Sequence, residues 1–296
     1  MSQSGLYVKK RKKINTEMWY GYGFIFPTMT AFLVFSLIPT IGVFVLSFFN
    51  WNLINAPQFL GIENYITMFS SQQFWHSLWV TAKYVFYSQT AKISLSLCIA
   101  LALNRKLPGI KLFRIPIIMP WIVMPIAVAI VWKWILSPTG LLNYYLELIG
   151  MPKMTWFAPD NVLQSIAVVD VWQYFGFSTV LFLIGLQNIP QMYNDAASID
   201  GANRLKSFWH VTLPLLRPTI LFILVTAVIG SFQVFDIVYA TTQGGPGDLS
   251  KVYYFLIYEK GFQNLQMGYA SAMSVFLFIM LMIATMIQMR LFKDNT

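Results

Sequence analysis

Two polar clusters interrupt long apolar runs of this chain. The first is Asp170, Gln173 and Tyr174, with Trp172 and Phe177 beside them; the second is Ser231, Gln233 and Asp236, with Phe232 and Phe235. Aromatic faces next to amide, hydroxyl and carboxylate groups suit reversible binding of a ligand with apolar faces and a hydroxyl rim, such as a sugar. The mixture fits the usual recipe of an apolar pocket with a few polar anchors. Covalent chemistry has no support. The histidines, His76 and His210, lie far apart in sequence, the single cysteine is Cys98, and no His/Cys constellation is spaced for a metal. No catalytic residue and no metal site are therefore expected. No G-x-x-x-x-G-K-[ST] stretch is present either, so nucleotide hydrolysis by this chain is not expected.

A third feature is a polar island, Asp195-Ala196-Ala197-Ser198-Ile199-Asp200-Gly201, followed by Val211-Thr212-Leu213-Pro214. Pro190 suits the first turn of a helix, where its missing N–H would be unpaired anyway. Gly201 suits a helix end, where the left-handed conformation is needed. Met192, Ala196 and Ile199 recur as an apolar stripe at i, i+4 and i+7. Asn203 is a good cap for a second helix reaching about Val211, with Pro214 and Pro218 expected to stop it.

The elements that position these clusters follow from composition. Hydrophobic residues make up 57% of the 296 residues and charged residues 10%, against about 25% charged in soluble domains. Six apolar segments emerge, at 22–49, 77–103, 115–136, 163–186, 218–241 and 267–291, each near the ~20 residues a spanning helix needs. Helices satisfy their own backbone groups in lipid, and these runs are too long and continuously apolar for barrel strands. The expected fold is an all-α polytopic membrane protein of six transmembrane helices. A basic N-terminal tail over 1–21, a loop over 187–217 and a short tail over 292–296 flank or interrupt the spans. Pro116, Pro120 and Pro125 predict that the third span is kinked or broken.

Lysine and arginine set the orientation. Fourteen lie in the N-terminal tail (Lys9 to Lys13), after span 2 (Arg105, Lys106, Lys111, Arg114), after span 4 (Arg204, Lys206, Arg217) and at the C-terminus (Arg290, Lys293). Three lie on the other side, Lys153, Lys251 and Lys260. This asymmetry places both termini and the polar island in the cytoplasm. The net charge of +9 is therefore read as membrane orientation, and no nucleic-acid partner is expected. Trp51, Trp75, Trp79 and Trp156 fit an interfacial belt on the opposite side. Charges inside a span are costly, so Asp170 and Asp236 are expected to pair, with Lys83, Lys92 or Lys133. Lys92 is the deepest and most in need of a partner. Cys98 is expected as a small packing residue.

The island's spacing resembles the signature of permease subunits of binding-protein-dependent ABC importers: acid-Ala-Ala, three residues, Gly, nine residues, aliphatic, one residue, Leu-Pro. Here Asp195 stands for the usual Glu and Val211 for the usual Ile. Phe59-Leu60-Gly61-Ile62-Glu63-Asn64-Tyr65, Gly140-Leu141-Leu142-Asn143, Gly244-Gly245-Pro246 and Met267-Gly268-Tyr269-Ala270-Ser271-Ala272 are similar to the family's extracytoplasmic loops and last span. The chain looks like the maltose-type "F" permease in its short six-span form, found in oligosaccharide and glycerol-phosphate systems. That resemblance implies a type I ABC importer fold with a cytoplasmic coupling helix. Asp195, Ala196, Ala197, Ile199, Gly201, Leu213 and Pro214 would couple to a separate ATPase. Gln173, Tyr174, Phe177, Gly230, Ser231, Gln233 and Val234 would hold cargo.

It further implies that the chain works in the cytoplasmic membrane of a prokaryote with several partners. These are a second, non-identical permease subunit, two copies of a cytoplasmic ATPase that binds ATP and Mg, and an extracytoplasmic sugar-binding protein. No cofactor belongs to this chain. Glycerol phosphate would call for more positive charge in the spans than is seen, so an uncharged oligosaccharide is preferred as cargo. An ion-coupled secondary sugar transporter is the competing reading, but it would favour paired half-repeats, and none is visible.

Overall fold

The computed structural model describes residues 16–105, 109–110 and 112–292. The Lys9–Lys13 cluster, Lys106, Lys111 and Lys293 lie outside the described residues. The architecture is all-α and, among the described residues, has five helices long and apolar enough to cross a membrane and a sixth if one bent pair is a single span.

The first span joins helix α1 (Thr16–Phe32), a π-helical turn at Leu33–Leu37 and α2 (Ile38–Leu46). Pro39 in the first turn of α2 removes a donor from the helical ladder, and the wide turn sits just before it. The span ends at Leu46, earlier than the expected 49, because Phe49–Asn50 (β1) pairs antiparallel with Gln58–Phe59 (β2). A short helix α3 (Glu63–Ser70) leads to α4 (Gln72–Leu103). Ser71 caps α4 by accepting from the Phe74 N–H at 3.4 Å, so this helix starts five residues before the expected 77.

The third span is broken. Helices α5 (Arg114–Ile122) and α6 (Pro125–Ile135) meet at 103°. Val123 and Met124 are extended there, as a residue preceding proline prefers. Helix α7 (Leu141–Leu148) then packs on the same end, and α8 (Val162–Gln187) runs back through the bundle. Helices α9 (Gln191–Ile199) and α10 (Arg204–Ser207) make up the polar island and its sequel. A π-helical turn at Phe208–Thr212 and α11 (Leu213–Leu215) carry the helical path past Pro214, which was expected to stop it. Pro214 lies in the first turn of α11, where a missing N–H costs little. Helix α12 (Arg217–Phe232) and α13 (Asp236–Thr241) fill the expected span 218–241 but are interrupted at Gln233–Phe235. Helix α14 (Tyr253–Tyr258), a π-helical turn at Glu259–Gln263 and α15 (Met267–Leu291) complete the fold.

The core sits mainly between α4 and α8, which run in the same direction. Val80 and Tyr84 pack with Val162 and Ile166 at one end, while Ala100 and Leu103 pack with Phe182 and Leu186 at the other, near α9. The end opposite α9 is fastened by polar contacts from the loops. Asn64 donates to the carbonyls of Ser47 (2.9 Å) and Phe49 (3.0 Å). Asn143, fully buried, donates to three carbonyls and accepts from the Met154 N–H at 2.9 Å. Lys251 bridges Asp248 (2.9 Å) and Glu259 (2.8 Å). Burial pulls its ammonium pKa down, but hydrogen bonds and charge from both carboxylates outweigh that, so the net shift is upward. Cys98 lies on the exposed side of α4, not in packing as expected, because the core-facing stripe of that helix runs through Lys92, Ser96 and Ala100.

Candidate functional site

A cavity of about 270 Å³ opens among the helices. Its walls come from α4, the α5–α6 break, α8, α12 and the α12–α13 interruption. Asp170, Tyr174 and Phe177 recur at i, i+4 and i+7, so one face of α8 supplies them all. Gly230, Ser231, Gln233, Val234 and Asp236 come from the point where α12 gives way to α13. Six of the seven expected cargo residues therefore share this cavity: Tyr174, Phe177, Gly230, Ser231, Gln233 and Val234.

The seventh does not. Gln173 is fully buried, is not part of the lining, and donates to the Val123 carbonyl at 3.2 Å. Its amide satisfies a carbonyl freed by the break in the third span, which is how broken helices are tolerated at membrane depth. Gln173 thus fastens the α5–α6 break and stands outside the residues that line the cavity. Ser231 lines the cavity, but its hydroxyl also accepts from the buried Gln89 amide.

The structure adds residues that were not singled out for this site. Trp121, at the end of α5, stacks on Phe177 with ring centroids 4.8 Å apart and planes at 21°. Pro125 and Thr226 also contribute. The proline cluster signalled that the span breaks but not which way it turns, so it did not place Trp121. The closeness of the break to α8 depends on Gly176, where a Cβ would meet the Ile117 carbonyl oxygen at 1.9 Å.

The charges in the cavity wall are Lys92, Asp170 and Asp236. Lys92 and Asp170 form the ion pair expected for the deepest lysine, at 2.7 Å with both side chains under a tenth exposed. The ammonium also lies 5.3 Å from the centre of the Tyr174 ring, a cation–π distance. Lys83 instead sits over Trp79 at 5.3 Å, and Lys133 donates to the Ala240 carbonyl at 3.3 Å. Among the described residues, Asp236 has no ion-pair partner and is exposed toward the cavity.

The expected coupling residues lie at the far end of α8. After Gln187, α9 carries Asp195, Ala196, Ala197 and Ile199, and Gly201 follows with a φ of 74°. A left-handed residue after the last helical turn is the reason for a glycine there. Ala197 is the residue turned into the chain, while Met192, Ala196 and Ile199 are exposed, Ile199 at 87%. The apolar stripe thus faces away from its own chain. Gln191 donates to the Asp195 carboxylate at 3.2 Å, and Asn203 accepts from the Lys206 N–H at 2.9 Å. Leu213 and Pro214 form α11 with Leu215, between this island and α12. Among the described residues no group of His, Cys, Asp and Glu could hold a metal ion.

Comparison with known proteins agrees with this architecture. The chain is 37% identical to the probable ABC transporter permease protein YesP of Bacillus subtilis, over 98% of this chain and 94% of that protein. It is 34% identical to the trehalose/maltose transport system permease protein MalF of Thermococcus litoralis, over 93% and 94%. A crystal structure of a bacterial ABC transporter that imports the acidic polysaccharide alginate superposes with a TM-score of 0.83. That match is 22% identical and covers 95% of this chain and 97% of that chain, a likeness of fold. The family model for the binding-protein-dependent transport system inner membrane component matches residues 24–295, and the chain belongs to that family, the permease subunits of ABC importers.

Proposed function

We propose that this chain is one of two permease subunits of an ATP-driven importer that carries a sugar, an oligosaccharide by preference, across the cytoplasmic membrane. The observation that carries this reading is convergence. Tyr174 and Phe177 from α8, Gly230 and Ser231 from α12, and Gln233 and Val234 from the interruption after it meet at a single cavity walled by stacked aromatics and polar groups. The named transport of trehalose and maltose by one relative, and of arabinooligosaccharides by another, supports a sugar. At about 270 Å³ the cavity falls just short of typical ligand pockets, about 300–1,000 Å³. A second permease, non-identical, supplies the facing wall.

In this reading Asp195, Ala196, Ala197, Ile199 and Gly201 dock on one of two cytoplasmic ATPase subunits, with Leu213 and Pro214 linking the docked island to α12. The ATPases bind ATP and Mg. Their closure on nucleotide moves the docked helix, and the cavity changes the side to which it opens. An extracytoplasmic binding protein delivers sugar to the loops at the opposite end. Both termini and α9 lie in the cytoplasm, in keeping with the distribution of lysine and arginine.

The test is sugar uptake into vesicles that hold the complete complex, with ATP inside and binding protein outside, comparing wild type with Gly201→Asp. A Cβ at position 201 meets nothing within 4 Å, and Asp tolerates the left-handed region better than most residues. The variant therefore charges the docking face without a steric clash, though with some backbone strain at φ 74°, which the check on assembly controls for. ATP-driven uptake in wild type that disappears in an assembled variant is the expected result. Uptake that follows an ion gradient, ignores ATP and survives the substitution would overturn it.

A further inference from the structure

The ionisable groups in the cavity wall, apart from Tyr174, are one ammonium and two carboxylates. The ammonium is already committed. Lys92 lies 2.7 Å from Asp170, and both side chains are more than nine-tenths buried. Drawing Lys92 away toward an anionic cargo would leave Asp170 as an unpaired buried carboxylate, a strongly unfavourable state. Among the described residues of this chain, Asp236 is left as the cavity charge with no ion-pair partner. It is exposed toward the cavity from the first turn of α13, beside Gln233, Val234 and Gly230.

We propose that Asp236, together with the closed Lys92–Asp170 pair, sets the charge class of the cargo, so that the cavity accepts uncharged sugars and rejects anionic ones. This rests on the reading of the cavity as a sugar site. An uncharged sugar can donate a hydroxyl to the Asp236 carboxylate and lay an apolar ring face on Trp121 or Phe177. A uronate, sulfonate or phosphate has only acceptors at its charged group and brings like charge against Asp236, which interfaces built for one partner use to suppress another. The distinction matters here because relatives of this chain are named for both kinds of cargo, trehalose/maltose on one side and sn-glycerol-3-phosphate or sulfoquinovosyl glycerol on the other.

Saturation-transfer NMR on the purified permease–ATPase complex, without binding protein, tests this directly, because the binding protein's own selectivity is removed. The probes are trehalose, maltotriose and arabinotriose against trigalacturonate and glycerol 3-phosphate. Wild type should bind at least one neutral probe and should bind the anionic probes roughly tenfold or more weakly. In Asp236→Asn the ratio of anionic to neutral binding should rise by about the same factor. Anionic probes bound as well as neutral ones in wild type would overturn the proposal and leave the sugar site standing. An unchanged ratio in an assembled Asp236→Asn complex would likewise remove Asp236 from the role. If that variant does not assemble, Asp236→Ser is read in its place with the same two outcomes. No binding of any probe to wild type would instead remove the sugar-site reading itself.

Discussion

Replacing Gly176 by alanine tests how closely the broken third span must approach α8. A Cβ built at Gly176 meets the Ile117 carbonyl oxygen at 1.9 Å, its carbonyl carbon at 2.8 Å and the Ile118 Cα at 3.2 Å. All three are backbone atoms, so no side chain can rotate out of the way. A carbon-to-oxygen contact is comfortable from about 3.3 Å, so α5 must retreat from α8 by more than an ångström. Overpacking of this kind typically costs about 1–3 kcal/mol, and the backbone clash places it near the upper limit. For a chain of this size ~3 kcal/mol lowers an unfolding midpoint by roughly 6–12 °C. The retreat also pulls Trp121 off Phe177 and opens the cavity wall. The assay is thermal unfolding of the detergent-purified complex, followed by size-exclusion fluorescence, together with vesicle uptake. Gly23→Ala is the control, since its Cβ meets nothing within 4 Å. A Gly176→Ala complex with the wild-type midpoint and uptake would refute the argument that this glycine sets the distance between α5 and α8.

Three further outcomes follow from the same coordinates. Lys92→Met strands the Asp170 carboxylate and should cost about 3–5 kcal/mol, whereas the apolar double variant Lys92→Met/Asp170→Leu should recover most of that, read as the midpoint and yield of assembled complex. Asn143→Ala removes four hydrogen bonds from a fully buried site. It should destabilise the α7 end by about 2–3 kcal/mol, visible as faster proteolysis or amide exchange around 137–156. Because Lys251 has its pKa raised above 10.5, its bridge to Asp248 and Glu259 contributes fully below that pH and is lost as pH rises through the shifted value. Alkaline titration above about pH 10.5 should therefore loosen the 244–263 segment in wild type, and Lys251→Met should be loosened already at neutral pH with little further alkaline change, as hydrogen exchange would show.

What could be read from the sequence was largely what local chemistry decides. Gly201 and Asn203 mark helix ends through their own backbone and side-chain preferences and occupy the places those preferences demand, while Pro190 marks the right end but stands as the N-cap, one residue before the first turn expected for it. A lysine buried in a span must find a carboxylate, so the need of Lys92 for a partner was legible, but which carboxylate it takes was not: it pairs with Asp170, and Asp236, expected to pair as well, has no ion-pair partner among the described residues. The break near Pro125 was legible because proline restricts the residue before it. Its direction was not, because the 103° turn is set by contacts fifty residues away in sequence. Gln173 shows the difference most clearly. Its polar side chain within a span, and the resemblance to the permease family, assign it to the cavity beside Tyr174 and Phe177. Only the return of the chain at Val123 supplies the carbonyl that claims it. The same limit hid Trp121, and it hid Gln89, whose amide reaches Ser231 across 142 residues.

The geometry of α8 joins the two halves of the proposed mechanism. Asp170, Tyr174 and Phe177 face the cavity, and the same helix continues unbroken to Gln187, three residues before Pro190 and the start of the docking island. Phe177 to Gln187 is ten residues, or about 15 Å of helix, and over that stretch the helix is packed rather than free. Phe182, Leu183 and Leu186 are buried against α4 and α12 residues, and Gly185 admits the Thr219 side chain so closely that a Cβ there would meet its hydroxyl oxygen at 2.5 Å. A displacement delivered to α9 therefore cannot be absorbed by bending within α8 alone. It must move α8 together with the start of α12, and both helices contribute to the cavity wall. The broken third span is fastened to α8 by Gln173 and Gly176, so it is carried along. The interruption at Gln233–Phe235 differs, since its amides bond three residues back instead of four, Gln233 to Gly230 at 3.2 Å and Val234 to Ser231 at 3.3 Å, and Gln233 is exposed. Tight i→i−3 turns inside a helical path often mark a hinge, so this is where α12 can bend relative to α13. Stiffening that joint should slow transport while leaving ATPase docking intact, and a docking change with unaltered transport would point to a hinge elsewhere.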